Sequence, residues 1–219
     1  MKFNCTGIWV IDPIDGTKGF LRGGQYAICL ALIMDSVVQL GILGCPNLPV
    51  SPSDPSAGQG VIVLAVRGQG AMQASIERLS NDIVSSNTKT ETASTATDSS
   101  TITTTVTKTH DTSIDALFTP VSIPSTPPKG DEIRTLESVE SGHSAHDFTA
   151  AFARALDLRT EPNRMDSQAK YAALARGMGE GHLYLRMPVP GKDYLEKIWV
   201  RKCIHFSFPF LAFPSPFFF

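Results

Sequence analysis

Charge is scarce in this chain. Only 18% of its 219 residues are Asp, Glu, Lys or Arg, and 19 basic against 21 acidic side chains leave a net charge of −2. A general nucleic-acid binder needs a basic excess, so the balance speaks against that class. Cysteine is also sparse: Cys5, Cys29, Cys45 and Cys203 are scattered, with no CxxC pair. Such spacing builds neither a disulfide framework nor a zinc site, and reads as free thiols in a reducing compartment. No apolar run reaches the roughly 20 residues that a membrane-spanning helix requires. Met1 to Thr6 lacks the apolar stretch of a secretory leader. Together these absences lead to the expectation of a cytoplasmic protein with no membrane or nucleic-acid partner; a monomer is expected as well, though not from these absences. The length corresponds to roughly one and a half domains, enough to bury a core.

What is present falls into distinct regions. From residue 7 to 80, apolar runs alternate with Gly and Pro, which reads as strands and turns. Ile8 to Ile11 is a short β-type run, with Pro13 expected to force the chain out of the sheet. Tyr26–Met34 and Val37–Cys45 are joined by Asp35-Ser36, a two-residue hairpin connection. Val61–Val66 is a further strand, and the runs are apolar on both faces, which predicts a sheet covered on both sides. Residues 85–113 hold 18 Ser or Thr in 29 positions. That composition cannot bury enough area to offset chain entropy and reads as a disordered insertion; a phosphorylated regulatory loop is the alternative.

Mixed α/β patterning returns after the insertion. Ile133–Val139 reads as a strand. A helix follows Ser144, with Phe148, Ala151, Phe152, Ala155 and Leu156 predicted to form one buried stripe. Ser144 and Asp147 resemble a capping box. A second helix is expected from Ser167 to Arg176, stopped by Gly177, and His182–Met187 as another strand. From Phe206 onward, seven of 14 residues are Phe and three are Pro, a segment with no globular periodicity.

The chemistry-bearing string is Trp9-Val10-Ile11-Asp12-Pro13-Ile14-Asp15-Gly16-Thr17-Lys18-Gly19-Phe20. A tight turn can bring Asp12, Asp15 and the Ile14 carbonyl to one point, a set of hard oxygen donors that suits Mg²⁺. Gly16 allows close backbone approach to an anion, and its N–H can hold a phosphate oxygen. Thr17 offers a hydroxyl to orient an attacking water. The Asp-Pro-x-Asp-Gly tetrad alone is also a common surface turn.

The full string is more specific. It resembles the signature of the lithium-sensitive, metal-dependent phosphomonoesterases, the inositol monophosphatase superfamily. The continuation Lys18-Gly19-Phe20-Leu21-Arg22-Gly23 resembles its 3'(2'),5'-bisphosphate nucleotidases. Glu140-Ser141-Gly142-His143-Ser144, Met165-Asp166-Ser167-Gln168-Ala169-Lys170-Tyr171, Tyr184-Leu185-Arg186 and Asp193–Trp199 resemble further blocks of those enzymes. The resemblance implies an α+β fold, a layered α/β sandwich of the inositol monophosphatase and sugar phosphatase type. It implies removal of the 3'-phosphate from 3'-phosphoadenosine 5'-phosphate or 3'-phosphoadenylyl sulfate, in sulfur metabolism, by Mg²⁺-assisted in-line attack of water. It makes Asp12, Ile14 and Asp15 metal ligands, with Asp12, Asp15 and Thr17 catalytic. Gly16, Thr17, His143, Ser167, Lys170 and Arg186 become substrate contacts. Ser167 and Lys170 are expected in the first turn of a helix, where free N–H groups favour an anion. Glu137, Glu140 and His146 read as solvated surface. An inositol phosphatase, or a nucleotide-binding remnant without catalysis, are the other readings.

On this basis the chain divides into a partial N-terminal metal-binding α+β subdomain (1–80), the Ser/Thr-rich insertion (81–116), a C-terminal nucleotide-binding subdomain (117–199) and an aberrant tail (200–219). The resemblance also implies acidic residues upstream of Trp9 and an Asp-His-Ala-Ala-Gly block after Trp199, where this chain reads Val200-Arg201-Lys202. Residues 200–219 read as intron read-through, since nearly all from Phe206 on can be encoded with pyrimidines at the first two codon positions. The expectation is therefore weak activity or none from the chain as it stands.

Overall fold

A computed structural model describes residues 7–88, 114–126, 128–140 and 146–185. Its first unit is a six-stranded antiparallel sheet in sequential order: β1 (Gly7–Asp15), β2 (Ala27–Met34), β3 (Val37–Pro49), β4 (Gln59–Val66), β5 (Gly70–Ser75) and β6 (Thr119–Pro120). Two helices accompany it, α1 (Thr17–Leu21) and α2 (Ile76–Thr88). The second unit is a three-stranded parallel sheet in the order β8-β7-β9. It is built from β7 (Thr135–Ser138), α3 (His146–Ala155), β8 (Asn163–Met165), α4 (Ala169–Arg176) and β9 (Leu183–Tyr184). An antiparallel sheet of consecutive strands is followed by a parallel βαβαβ unit, a mixed α+β arrangement as expected.

The hairpin at Asp35-Ser36 forms as read. Both residues have positive φ, 50° and 65°, and Met34 pairs with Val37, the geometry of a type I′ turn. One core joins the two units. Ala27, Cys29, Ala31, Leu43, Cys45, Val61 and Val63 from the first sheet meet Leu136, Met165, Ala169, Ala172 and Ala173. The small side chains of α4 let it lie close on β3. Leu43, Leu48 and Leu136 are fully buried, each contributing about 2 kcal/mol relative to exposure. Cys29 and Cys45 are buried inside this core, and burial pushes the Cys45 thiol up to about 12.

The far end of α4 is clamped electrostatically. Arg176 and Glu180 form a buried ion pair at 3.0 Å, and Arg176 Nη1 donates to the Pro49 carbonyl at the end of β3, 2.7 Å away. Burial lowers the Arg176 pKa and raises that of Glu180. Gly177, at φ 60°, ends the helix as the sequence indicates.

Several expectations are corrected. Pro13 does not eject the chain; β1 continues through it to Asp15, because β1 is an edge strand among the described residues and a missing N–H costs nothing there. The first sheet is not covered on both sides among the described residues: Trp9, Ile11 and Ile28 share one face and are 57%, 58% and 36% exposed. The predicted stripe on α3 is not buried either. Phe148 and Leu156 are exposed, and Thr149 is the buried residue, donating to Glu137 Oε1 at 2.5 Å. A polar contact sets the rotation of that helix. Residues 81–88, assigned to the insertion, belong to α2, which starts behind Ser75, whose Oγ accepts the Arg78 N–H. Ile76 and Leu79 are half-buried beneath it. Most of the insertion and the 200–219 tail lie outside the described residues.

Ser36 holds a left-handed conformation that a side chain disfavours. Ser36→Gly is therefore expected to raise stability by about 0.5–1 kcal/mol, read as a higher urea midpoint; a lower midpoint would mean the turn is built differently.

Candidate active site

In a regular strand, residues three apart point to opposite faces. Asp12 and Asp15 escape that rule through a bulge. Asp12 pairs with Cys29 and Asp15 with Ala27, so three steps on β1 match two on β2. The extra residue puts both aspartates opposite positions of the same buried face. Pro13 and Ile14 form the bulge, and the Asp12 carboxylate accepts the Ile14 N–H at 3.2 Å. The Thr17 hydroxyl lies 3.5 Å from the Ile14 carbonyl. Both aspartates are half-buried and Thr17 is exposed.

Gly16 follows at φ 82° and precedes α1. A Cβ there would lie 2.6 Å from the Ser167 Cβ, so this turn touches the segment before α4. The contact is reinforced by a hydrogen bond. The Gln168 N–H donates to Asp15 Oδ2 at 2.6 Å, a charge-assisted bond of the stronger class. Two blocks joined across 153 positions of sequence thereby become one surface.

Ser167 sits differently from expectation. It lies before α4, which begins at Ala169, and has φ 63°. Its hydroxyl accepts the Ala169 N–H at 3.1 Å. Lys170 is in the first turn of α4 as read, but is only 3% exposed. Its ammonium donates to the carbonyls of Met165 and Ser167, at 3.0 and 2.8 Å. It also lies 5.7 Å from the Tyr184 ring centre. In this state it braces the 165–167 turn from beneath. His143 and Arg186 lie outside the described residues.

The acidic residues read as surface are not idle. Glu137 is 2% exposed and also accepts Arg164 Nε at 3.1 Å. The His146 ring bonds the Ser138 carbonyl at 2.9 Å. Glu140 receives Lys18 Nζ at 2.8 Å and Arg22 Nη1 at 2.7 Å. Hydrogen bonds from Lys18 and Arg22 hold its carboxyl down to about 2. The stretch Ile133–Val139 carries two charged residues, Arg134 and Glu137, and nothing in its pattern marks the second as buried and paired. Nothing in the sequence pattern marks Glu140.

Among the described residues, no cluster of three or more His, Cys, Asp or Glu side chains is placed to hold a metal. The bulged turn does offer two carboxylates and one carbonyl, all hard oxygens. Mg²⁺ is commonly held by one or two carboxylates, with water and phosphate completing its shell. The donor set fits that ion.

The inositol monophosphatase family model matches residues 4–199, and the chain belongs to that family. It is 38% identical over 203 residues to a 3'(2'),5'-bisphosphate nucleotidase of Emericella nidulans, covering 88% of this chain and 47% of that protein. The Schizosaccharomyces pombe protein of the same name is 38% identical over 193 residues, with 88% and 44% covered. The chain thus spans less than half the length of these curated relatives. Among solved structures, CysQ from Bacteroides thetaiotaomicron, a bacterial member of the family, superposes with a TM-score of 0.55. It is 16% identical, over 93% of this chain and 58% of that one, a likeness of fold.

The geometry generates two expectations. Gly16→Ala forces a Cβ against Ser167 in a left-handed conformation, and is expected to cost about 1–3 kcal/mol. It should also speed exchange of the Gln168 amide; an unchanged amide would contradict the contact. Glu140 has a depressed pKa, so its contribution is complete above pH 4.5 and is lost as pH falls towards about 2. Glu140→Gln should show a shallower loss of stability across that interval than the parent, measured by urea unfolding at successive pH values. Parallel curves would contradict the ion pairs.

Proposed function

We propose that this chain carries the site of a Mg²⁺-dependent 3'(2'),5'-bisphosphate nucleotidase. The reaction is hydrolysis of the 3'-phosphate of 3'-phosphoadenosine 5'-phosphate, or of 3'-phosphoadenylyl sulfate, within sulfur metabolism. One observation carries the reading: the Gln168 N–H on Asp15 and the Gly16 contact with Ser167 join the oxygen-donor turn to the segment that resembles the nucleotide block. The names of the curated relatives support it. The buried free thiol of Cys45 suits a reducing, cytoplasmic setting.

Asp12, Asp15 and the Ile14 carbonyl would hold the ion. The chemistry that bound Mg²⁺ supplies is Lewis-acid polarisation of the phosphoryl group and a water of lowered pKa. The chain's own groups do the rest. The exposed Thr17 hydroxyl orients the attacking water, and the Gly16 N–H receives a phosphoryl oxygen. Ser167 adds its hydroxyl at the mouth of α4. Lys170, His143 and Arg186 complete the nucleotide contacts, with Lys170 turning from its carbonyl partners towards phosphate. Water attacks phosphorus, the bond to the ribose 3'-oxygen breaks, that oxygen takes up a proton, and the products are AMP and phosphate.

A nucleotide-binding segment without turnover is the second reading, favoured by the lack of a third acidic ligand among the described residues. Phosphate release from 3'-phosphoadenosine 5'-phosphate, with calorimetry run in parallel with and without Mg²⁺, separates the two. Hydrolysis should require Mg²⁺, and Asp12→Asn or Asp15→Asn should each lower it about 100-fold or more. Metal-independent binding without release favours the second reading, and hydrolysis untouched by either substitution contradicts the first.

A further inference from the structure

One side chain ties together the segments around the site without touching its oxygen donors. The Arg22 guanidinium donates from Nη1 to Glu140 Oε1 and from Nη2 to Asp166 Oδ2, each at 2.7 Å. Arg22 caps the C-terminus of α1, the helix that follows Gly16. Asp166 is 7% exposed and immediately precedes Ser167 and Gln168. Glu140 lies just past the end of β7. Helix α1 is pressed on Asp166: a Cβ at Gly19 would come 2.7 Å from the Asp166 Cβ. Arg22 also walls a cavity of about 410 Å³, shared with Gln25, Asn47, Met165 and Asp166.

We infer that Arg22 is a positioning residue, whose fork to Glu140 and Asp166 holds the donor turn in register with the start of α4. The inference rests on reading Asp12–Thr17 and Ser167–Lys170 as one phosphate site. A single exposed ion pair contributes little. A planar fork bound through two nitrogens fixes angle as well as distance, and its partners here belong to different elements. If the fork is lost, nothing else among the hydrogen bonds described for Asp166 holds its carboxylate against α1, and the Gln168 N–H can drift from Asp15. Lysine keeps the charge but presents one ammonium, which cannot reproduce two bonds from separate nitrogens to two carboxylates.

The test compares the full chain with Arg22→Lys and Arg22→Gln. Arg22 is half exposed, so both variants are expected to fold, checked by circular dichroism and melting. The Gln168 amide should exchange about tenfold faster in both variants, with Tyr171 and Ala172 inside α4 unchanged. KM for 3'-phosphoadenosine 5'-phosphate should rise about tenfold, with kcat falling less than threefold. Glu140→Gln should change Gln168 exchange and KM less when added to Arg22→Gln than when made in the parent, since one contact is shared by the two residues. Gln168 exchange and KM that match the parent in Arg22→Lys would overturn the inference. If the parent releases no phosphate, the functional reading fails by itself, and Gln168 exchange still decides the role of Arg22.

Discussion

The site depends on one hydrogen bond, from the Gln168 N–H to the Asp15 carboxylate at 2.6 Å. It is one of the polar contacts between the antiparallel and parallel units, beside their shared apolar core. A buried backbone donor left unpaired costs about as much as a lost hydrogen bond, so the helix start and the acidic turn constrain each other. The bulge at Pro13-Ile14 is the second half of the constraint. Without it, the strand period would send Asp12 and Asp15 to opposite faces of the sheet.

Packing explains why the contact is held at a fixed place. Helix α4 is pinned at both ends. Lys170 bonds two carbonyls of the turn before it, and Arg176 bonds Pro49 while paired with Glu180. Between them, Ala169, Ala172 and Ala173 rest on the first sheet. A buried ion pair is weak support for net stability, because desolvation offsets its attraction. Its directional bond to Pro49 nevertheless fixes where the helix ends relative to β3. The site is then framed by Arg22, Glu140 and Asp166, a polar rim that no single sequence block contains.

Much of this was legible in the residues. The hairpin at Asp35-Ser36, the stop at Gly177 and the pairing of a donor turn with the Met165–Tyr171 block follow from local chemistry and from resemblance. The bulge was not, because Pro usually ends a strand and only the pairing with β2 reveals the extra residue. Periodicity also misassigned α3: Phe148, Ala151 and Leu156 have helical spacing, but Glu137 beneath the helix required a polar partner, and Thr149 met it. In α2 the spacing of Ile76 and Leu79 was a readable sign that the Ser/Thr-rich composition just beyond it obscured. Apolar character on both faces of the sheet says which residues favour burial, not what covers them, so Trp9 and Ile11 stand exposed. Long-range ion pairs such as Arg22 with Asp166 leave no trace in local spacing.

The most direct test is a crystal structure of the chain with Mn²⁺, as a visible substitute for Mg²⁺, and inorganic phosphate. The account predicts an anomalous peak coordinated by Asp12, Asp15 and the Ile14 carbonyl, with phosphate between Gly16 and the start of α4. Manganese bound elsewhere, or phosphate away from the junction of Gly16 and Ser167, would contradict it.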